Sequence, residues 1–278
     1  MGESRDPVVP SLAQTPRVAL VTGASSGIGK ATAVRLAREP HVALVLVARR
    51  ADRLRSLAES IGGNASWVAV DLVDDDAPGT IRTHLESHHE GRLDLLVNNA
   101  GGAWRSNFAD GGHENVRRTM AINFDAPVRL TEALLPLLRA SAPSAIVNVA
   151  SVSGRVARGA MGAYCASKCA LTGWSDSLRA EERAQGVHVG LVHPGFIATE
   201  GYPQLELTAS ALTRWTVSTP EKVAEAIHRT ATERHRERYV PRPYALAAIL
   251  RALAPNLVCG ALERDSAHAE RAVQTSAR

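Results

Sequence analysis

Tyr164 and Lys168 stand four residues apart within Met161–Gln185, a stretch whose spacing predicts a helix. Residues at i and i+4 share one helix face, so a phenol and an ammonium can act on the same molecule. A free phenol has a pKa of about 10 and is a poor base at neutral pH; a nearby ammonium favours the phenolate and predicts a lowered value. Ser151, thirteen residues before Tyr164, closes a predicted strand, where its hydroxyl can hold and polarise a substrate oxygen. Together these three side chains predict proton transfer at an oxygen bound to carbon, with Tyr164 as the acid/base.

A second cluster lies near the start of the chain. The apolar run Arg17–Thr22 leads into Gly23-Ala24-Ser25-Ser26-Gly27-Ile28-Gly29, and a helix pattern follows at once. Glycines allow a sharp turn and close approach of backbone to a pyrophosphate, whose charge the free N–H groups of a helix N-terminus stabilise. Twenty residues after Gly29, the second strand runs into Arg49 and Arg50 with no carboxylate at its end. An acid there would bind the ribose hydroxyls, whereas Arg49 offers donors suited to a 2′-phosphate, so NADP(H) is expected over NAD(H).

Short apolar runs alternate with longer helical patterns from Arg17 onward, as βαβ units require. Strands are expected at Arg17–Thr22, Val42–Ala48, Ser66–Val70, Leu93–Asn98, Ala145–Ala150, Val187–Val192 and Glu237–Val240. Helices are expected at Gly27–Arg38, Ala51–Ser60, Asp75–Glu90, Glu114–Arg139, Met161–Gln185 and Pro220–Arg234, the last capped by Thr219. The fold class read from this pattern is α/β: a single doubly wound, Rossmann-type domain whose seven-stranded parallel sheet carries helices on both faces. Residues 1–16 read as a Pro-rich arm, 17–240 as the catalytic domain and 241–278 as a helical extension.

The chain resembles the short-chain dehydrogenase/reductase family over nearly all of Arg17 to Tyr239. The resemblance rests on Thr22-Gly-x-x-x-Gly-x-Gly29, Asn98-Asn99-Ala100-Gly101, Ser151, Tyr164-Cys-Ala-Ser-Lys168 and Pro194-Gly195. It implies hydride transfer between NADP(H) and a carbonyl or secondary alcohol, with Tyr164 exchanging the proton and Lys168 also binding the nicotinamide ribose. Asn123 looks like the family's fourth catalytic residue, holding a water linked to Lys168. Asp71 and Leu72 look like the adenine contacts, Asn99 to Gly101 like the segment passing the ribose. Pro194, Gly195, Ile197 and Thr199 look like the segment that orients the carboxamide. The family's helix contacts also imply a homodimer or homotetramer. A module that binds NADP(H) and regulates without turnover is the competing reading, and the intact Ser151, Tyr164, Lys168 and Asn123 argue against it.

With 278 residues, 45% hydrophobic and 22% charged, the chain can bury a substantial core. Its net charge of +4 arises from 32 basic and 28 acidic residues spread along the chain, so no nucleic-acid partner is expected. Residues 1–16 lack the apolar stretch of a secretory signal, and three cysteines suit a reducing compartment, so a cytoplasmic location is expected. The apolar tail from Tyr244 to Leu262 is broken by Arg251 and Pro255, so it should not span a bilayer. It could cover a subunit interface, cap the substrate cleft or lie in a membrane surface. His84, His88 and His89 read as a solvated helix face, with no metal expected. Cys165 and Cys169 read as packing. The segments expected to line the substrate cleft are 102–112, 153–162 and 196–218, which mix aromatic residues such as Trp104 and Phe196 with arginines.

Overall fold

Residues 18–198 and 216–260 are described by the computed structural model. Seven strands form one parallel sheet in the order β3-β2-β1-β4-β5-β6-β9, comprising β1 (Val18–Thr22), β2 (Ala43–Ala48), β3 (Ala65–Ala69), β4 (Leu95–Asn98), β5 (Ser144–Val149), β6 (Val187–Pro194) and β9 (Glu237–Val240). Two short strands, β7 (Phe196–Ile197) and β8 (Val217–Ser218), pair separately. Around the sheet lie α1 (Gly27–Leu36), α2 (Ala51–Ile61), α3 (Ala77–His89), α4 (Phe108–Met120), α5 (Ala126–Ala140), α6 (Gly162–Glu182) and α7 (Pro220–Thr232), followed by α8 (Tyr244–Leu253).

The apolar runs of the inner strands divide between two cores because side chains alternate across a sheet. Ala19 and Val21 of β1, with Leu44 and Leu46 of β2, enter one core; Val18, Leu20, Val45 and Val47 enter the other. Both faces are therefore covered, and the expected sheet is the one observed. The strand order reverses between β1 and β4, and doubly wound sheets open a ligand crevice at such a point.

The long helix expected at Glu114–Arg139 is instead three pieces. It begins earlier, at Phe108, breaks at Gly112 (φ 48°, ψ −153°), and passes through a π turn at Ala121–Asp125 before α5. Pro127 supplies the physical reason for the π turn. It has no N–H to give the Asn123 carbonyl four residues back, and its ring crowds that carbonyl. The wider turn takes its hydrogen bonds at i−5, as Ala126 N–H does to Ala121 O. The apolar periodicity continues through the turn, which hides it from a sequence reading.

Polar residues also enter the sheet centre. The Asn98 amide donates to Asn148 Oδ1 (2.9 Å) and Thr131 Oγ1 (3.1 Å), and Asn148 donates to Ser175 Oγ (2.7 Å). This chain of bonds crosses from β4 through β5 to α6, tying together the elements that carry the site. Asn148 is fully buried, so Asn148→Ala leaves one Asn98 amide N–H unmet and should cost about 1–3 kcal/mol. Urea unfolding of the variant, read by its midpoint at unchanged slope, checks this.

Candidate active site

At the carboxyl ends of β1 and β4, the Thr22 hydroxyl donates to Val97 O (3.2 Å) and accepts from Asn99 N–H (2.9 Å) and Ala100 N–H (3.0 Å). The Asn99 amide returns a bond to Thr22 O at 2.9 Å. The glycine turn packs against this junction. A Cβ on Gly29 would stand 2.2 Å from Gly23 O and 2.6 Å from Asn99 Nδ2, so α1 can start where it does only with glycine there. Gly23 itself has φ +67°, a left-handed conformation that side chains resist.

A cavity of about 880 Å³ opens beside this turn. It gathers Gly23, Ser25, Ser26, Gly27, Ile28, Arg49, Asp71, Leu72, Asn99, Ala100 and Gly101, which were identified from dispersed motifs. Arg50 lines it too, donating to Ser25 Oγ and Ser26 Oγ, each at 2.9 Å. Arg49 is largely exposed and faces Asp71 at 3.4 Å. The arginine in contact with the turn is thus Arg50, which the sequence reading passed over in favour of Arg49. Trp104, expected in the substrate cleft, also lines this cavity; its ring lies against Gly102 with the Arg118 guanidinium 4.9 Å from its centre.

Ser151, Tyr164 and Lys168 come together beyond this cavity. Ser151 caps a 3₁₀ turn, accepting Ser153 N–H at 3.1 Å and donating its hydroxyl to Pro194 O at 3.4 Å, and it stands close enough to Tyr164 to act on the phenol electrostatically. The turn reaches α6 closely: a Cβ on Gly154 would stand 2.8 Å from the Lys168 carbonyl carbon and oxygen. Lys168 is buried and donates to Val149 O at 2.9 Å, with its ammonium 5.9 Å from the Tyr164 ring centre.

The electrostatics differ from the sequence expectation. Burial pushes Tyr164 above its ordinary value, and the nearby Ser151 side chain offsets part of that rise. Burial also lowers Lys168 to about 8. Desolvation outweighs the attraction between the pair, because the ammonium is directed at a backbone carbonyl. In this arrangement the phenol keeps its proton.

Asn123 is buried on the π turn, where its side chain is committed to protein partners. Oδ1 accepts Gly102 N–H and Nδ2 donates to Gly102 O, both at 2.9 Å, with a further bond to Ser167 Oγ at 3.0 Å. Ser167 in turn donates to Tyr164 O at 2.8 Å, so Asn123 joins the 99–102 segment to α6. Pro194 ends β6 and Gly195 and Ile197 follow it, with the Tyr244 ring packed against Gly195. Thr199 and most of 196–218 lie outside the described residues.

Three further expectations meet the structure here. His84 and His89 are half-buried rather than solvated, converging on Ser66 Oγ at 2.9 and 3.1 Å. Cys165 is buried, its thiol pushed up by that burial, whereas Cys169 is exposed. No helix among the described residues is long and apolar enough to cross a membrane.

The short chain dehydrogenase profile matches residues 17–208. The chain belongs to the short-chain dehydrogenase/reductase family. It is 34% identical over 263 residues to dehydrogenase/reductase SDR family member 7B of Xenopus laevis, covering 86% of this chain and 79% of that one. It is 35% identical over 271 residues to the uncharacterized oxidoreductase YxnA of Bacillus subtilis, covering 92% of this chain and 74% of that one. The bovine member 7B is 30% identical over 261 residues, with 86% and 78% covered. The protein is accordingly an oxidoreductase of a family that uses a nicotinamide cofactor, and the glycine cradle and cavity fit a dinucleotide.

Gly29→Ala tests the cradle. The added carbon has no room, so NADPH affinity should fall at least about tenfold, together with about 1–3 kcal/mol of stability. Gly79→Ala in α3 meets nothing within 4 Å and serves as control, with cofactor affinity unchanged and stability equal or higher. NADPH fluorescence titration and thermal unfolding report both.

Proposed function

We propose that this protein is an NADP(H)-dependent oxidoreductase acting on a carbonyl or secondary alcohol through Ser151, Tyr164 and Lys168. The observation that carries the reading is the convergence of Ser151 and Tyr164 beside buried Lys168, next to a glycine-cradled cavity. The turn at 23–29 would hold the pyrophosphate, Asp71 and Leu72 the adenine, and Asn99 to Gly101 the ribose. Pro194, Gly195, Ile197 and Thr199 would hold the carboxamide. Bound there, the nicotinamide would supply or accept the hydride.

The chain's own residues perform the proton chemistry. A substrate oxygen that enters between the Ser151 and Tyr164 side chains would meet two hydroxyl donors. Tyr164, held protonated by burial, gives its proton to the oxygen during reduction and recovers it during oxidation. Lys168 supplies positive charge behind the phenol and is placed to bind the ribose hydroxyls. Asn123 acts by holding Gly102 and Ser167 in register with Tyr164.

Selection of NADP(H) rests on two arginines at the end of β2 and the absence of an acid there. Arg50 reaches the turn and Arg49 stands exposed at the cavity wall, so a 2′-phosphate would meet a guanidinium on either side. Homodimeric or homotetrameric assembly follows the family pattern. The tail helix α8 exposes Leu246, Ile249 and Leu253, which suits a subunit contact first and a membrane surface last. The three cysteines are free thiols, in keeping with a reducing, cytoplasmic setting.

NADPH oxidation against a panel of ketones and aldehydes tests the reading. Tyr164→Phe should lower turnover by about 10²- to 10⁴-fold while leaving NADPH binding near wild type. Tight NADPH binding with no turnover of any carbonyl would favour a cofactor-binding regulator instead. Arg50→Ala should raise the NADPH KM about tenfold and leave the NADH KM nearly unchanged. For the free enzyme, loss of the Lys168 ammonium should produce a falling limb in kcat/KM near pH 8. Stability has the opposite sign: between about pH 8 and 10.5 the unfolded chain holds the lysine proton and the folded one does not. The Lys168 contribution to stability should therefore rise across that window, which unfolding with and without Lys168→Met checks.

A further inference from the structure

Against the Ser151 carbonyl lies a buried imidazole that the proton chemistry does not use. His193, fully buried near the end of β6, donates from Nδ1 to the Ser151 carbonyl at 3.1 Å. Its Nε2 stands 3.0 Å from Glu237 Oε1 on β9, short of hydrogen-bond alignment, a contact that is an ion pair when the imidazole is protonated. The ring is stacked on Tyr239 with centres 4.8 Å apart. Tyr239 donates its hydroxyl to Glu237 Oε1, and Arg155, from the segment after Ser151, donates to the same oxygen at 3.1 Å. Glu237 is thus held well below the usual carboxylate range, at about 2, chiefly by its contact with His193.

The chemistry of the ring is constrained. A carbonyl only accepts, so Nδ1 carries a proton, and a carboxylate facing Nε2 is attractive only if that nitrogen carries one as well. Edge strand β9 supplies both Glu237 and Tyr239, because its register sets Tyr239 opposite His193. The Ser151 peptide is gripped twice on this side, by His193 and by Gly154 N–H at 3.0 Å. Pro194 O lies 3.4 Å from the Ser151 hydroxyl, so His193 and its neighbour bracket the serine.

We propose that His193, as an imidazolium paired with Glu237, is a positioning residue that fixes the Ser151 peptide and thereby aims its hydroxyl at Tyr164 and the substrate oxygen. The inference rests on the proposed role of Ser151. Arg155 belongs to the segment expected to line the substrate cleft, so the same carboxylate anchors the start of that segment.

Misplacement of a catalytic group by about 1 Å can cost 10²-fold in rate. His193→Phe keeps the stack on Tyr239 and removes both donors. It should lower kcat about 10- to 100-fold with the NADPH dissociation constant unchanged. His193→Asn restores a donor near the Nδ1 position and should recover most of that loss; Glu237→Gln should lower kcat less than His193→Phe. A merely structural role would lower thermal stability and leave kcat alone. Wild-type kcat in folded His193→Phe overturns the proposal, as does an Asn variant no better than Phe. Nitrogen-15 NMR of histidine-labelled protein supplies a readout independent of turnover. Two protonated ring nitrogens on His193 at neutral pH, with the Nε2 proton lost in Glu237→Gln, support the pair; one protonated nitrogen in wild type overturns it. If the wild type binds NADPH and reduces no carbonyl, the reading of function fails, and the nitrogen spectrum alone decides the pair.

Discussion

The Thr22 hydroxyl makes three hydrogen bonds at the place where β1 and β4 end, and the site is built outward from it. Parallel strands share no bond beyond their last paired residues, so something must hold the two loops that leave them. Thr22 does so by taking the first two N–H groups after β4, and Asn99 answers with its own amide. Each such bond is worth about 1 kcal/mol net, but leaving the buried N–H groups unmet would cost about 1–3 kcal/mol apiece. Because the loops are locked this closely, Gly23 and Gly29 have no space for a side chain. The glycine pattern is thus a consequence of the junction as much as a requirement of a phosphate.

On the other side of the crevice, burial rather than charge pairing sets the chemistry. Lys168 is enclosed and donates to a backbone carbonyl, an arrangement that disfavours the ammonium and lowers it to about 8. Tyr164 is raised for the same reason, so the two groups are displaced apart in pH and the lysine loses its proton before the phenol does. An enclosed lysine beside a half-buried tyrosine is costly to stability and serves no packing purpose that leucine and phenylalanine would not serve better. That mismatch between cost and packing is what marks them as functional on physical grounds.

Much of this was legible in the sequence because it follows from local pattern. Continuous apolar runs marked the covered strands, the glycine turn marked the strand-to-helix corner, and the four-residue spacing put Tyr164 and Lys168 on one face. What the sequence hid depends on distance in the chain. Arg49 and Arg50 are adjacent, and which one turns back to the serines is decided by the path of the chain after β2. The π turn at Asn123 needs Pro127 and a tertiary setting, although a proline four residues after a candidate helix residue was a usable signal. The direction of the Tyr164 shift required knowing its burial. His84 and His89 read as polar surface because Ser66, their partner, lies on a strand before them.

Glu237 illustrates how such long-range placement arises. It lies on β9, the edge of the sheet, where a half-buried charge protects against pairing with a further strand. An edge charge turned inward must be satisfied, and here the imidazole, a phenol and a guanidinium do so from three segments. Two of those segments meet the serine: His193 directly at its carbonyl, and Arg155 through the turn that Ser151 caps. A residue whose simplest purpose is to close the sheet therefore constrains the peptide from which the catalytic hydroxyl projects. The polarity that keeps β9 an edge and the rigidity that Ser151 needs come from the same carboxylate.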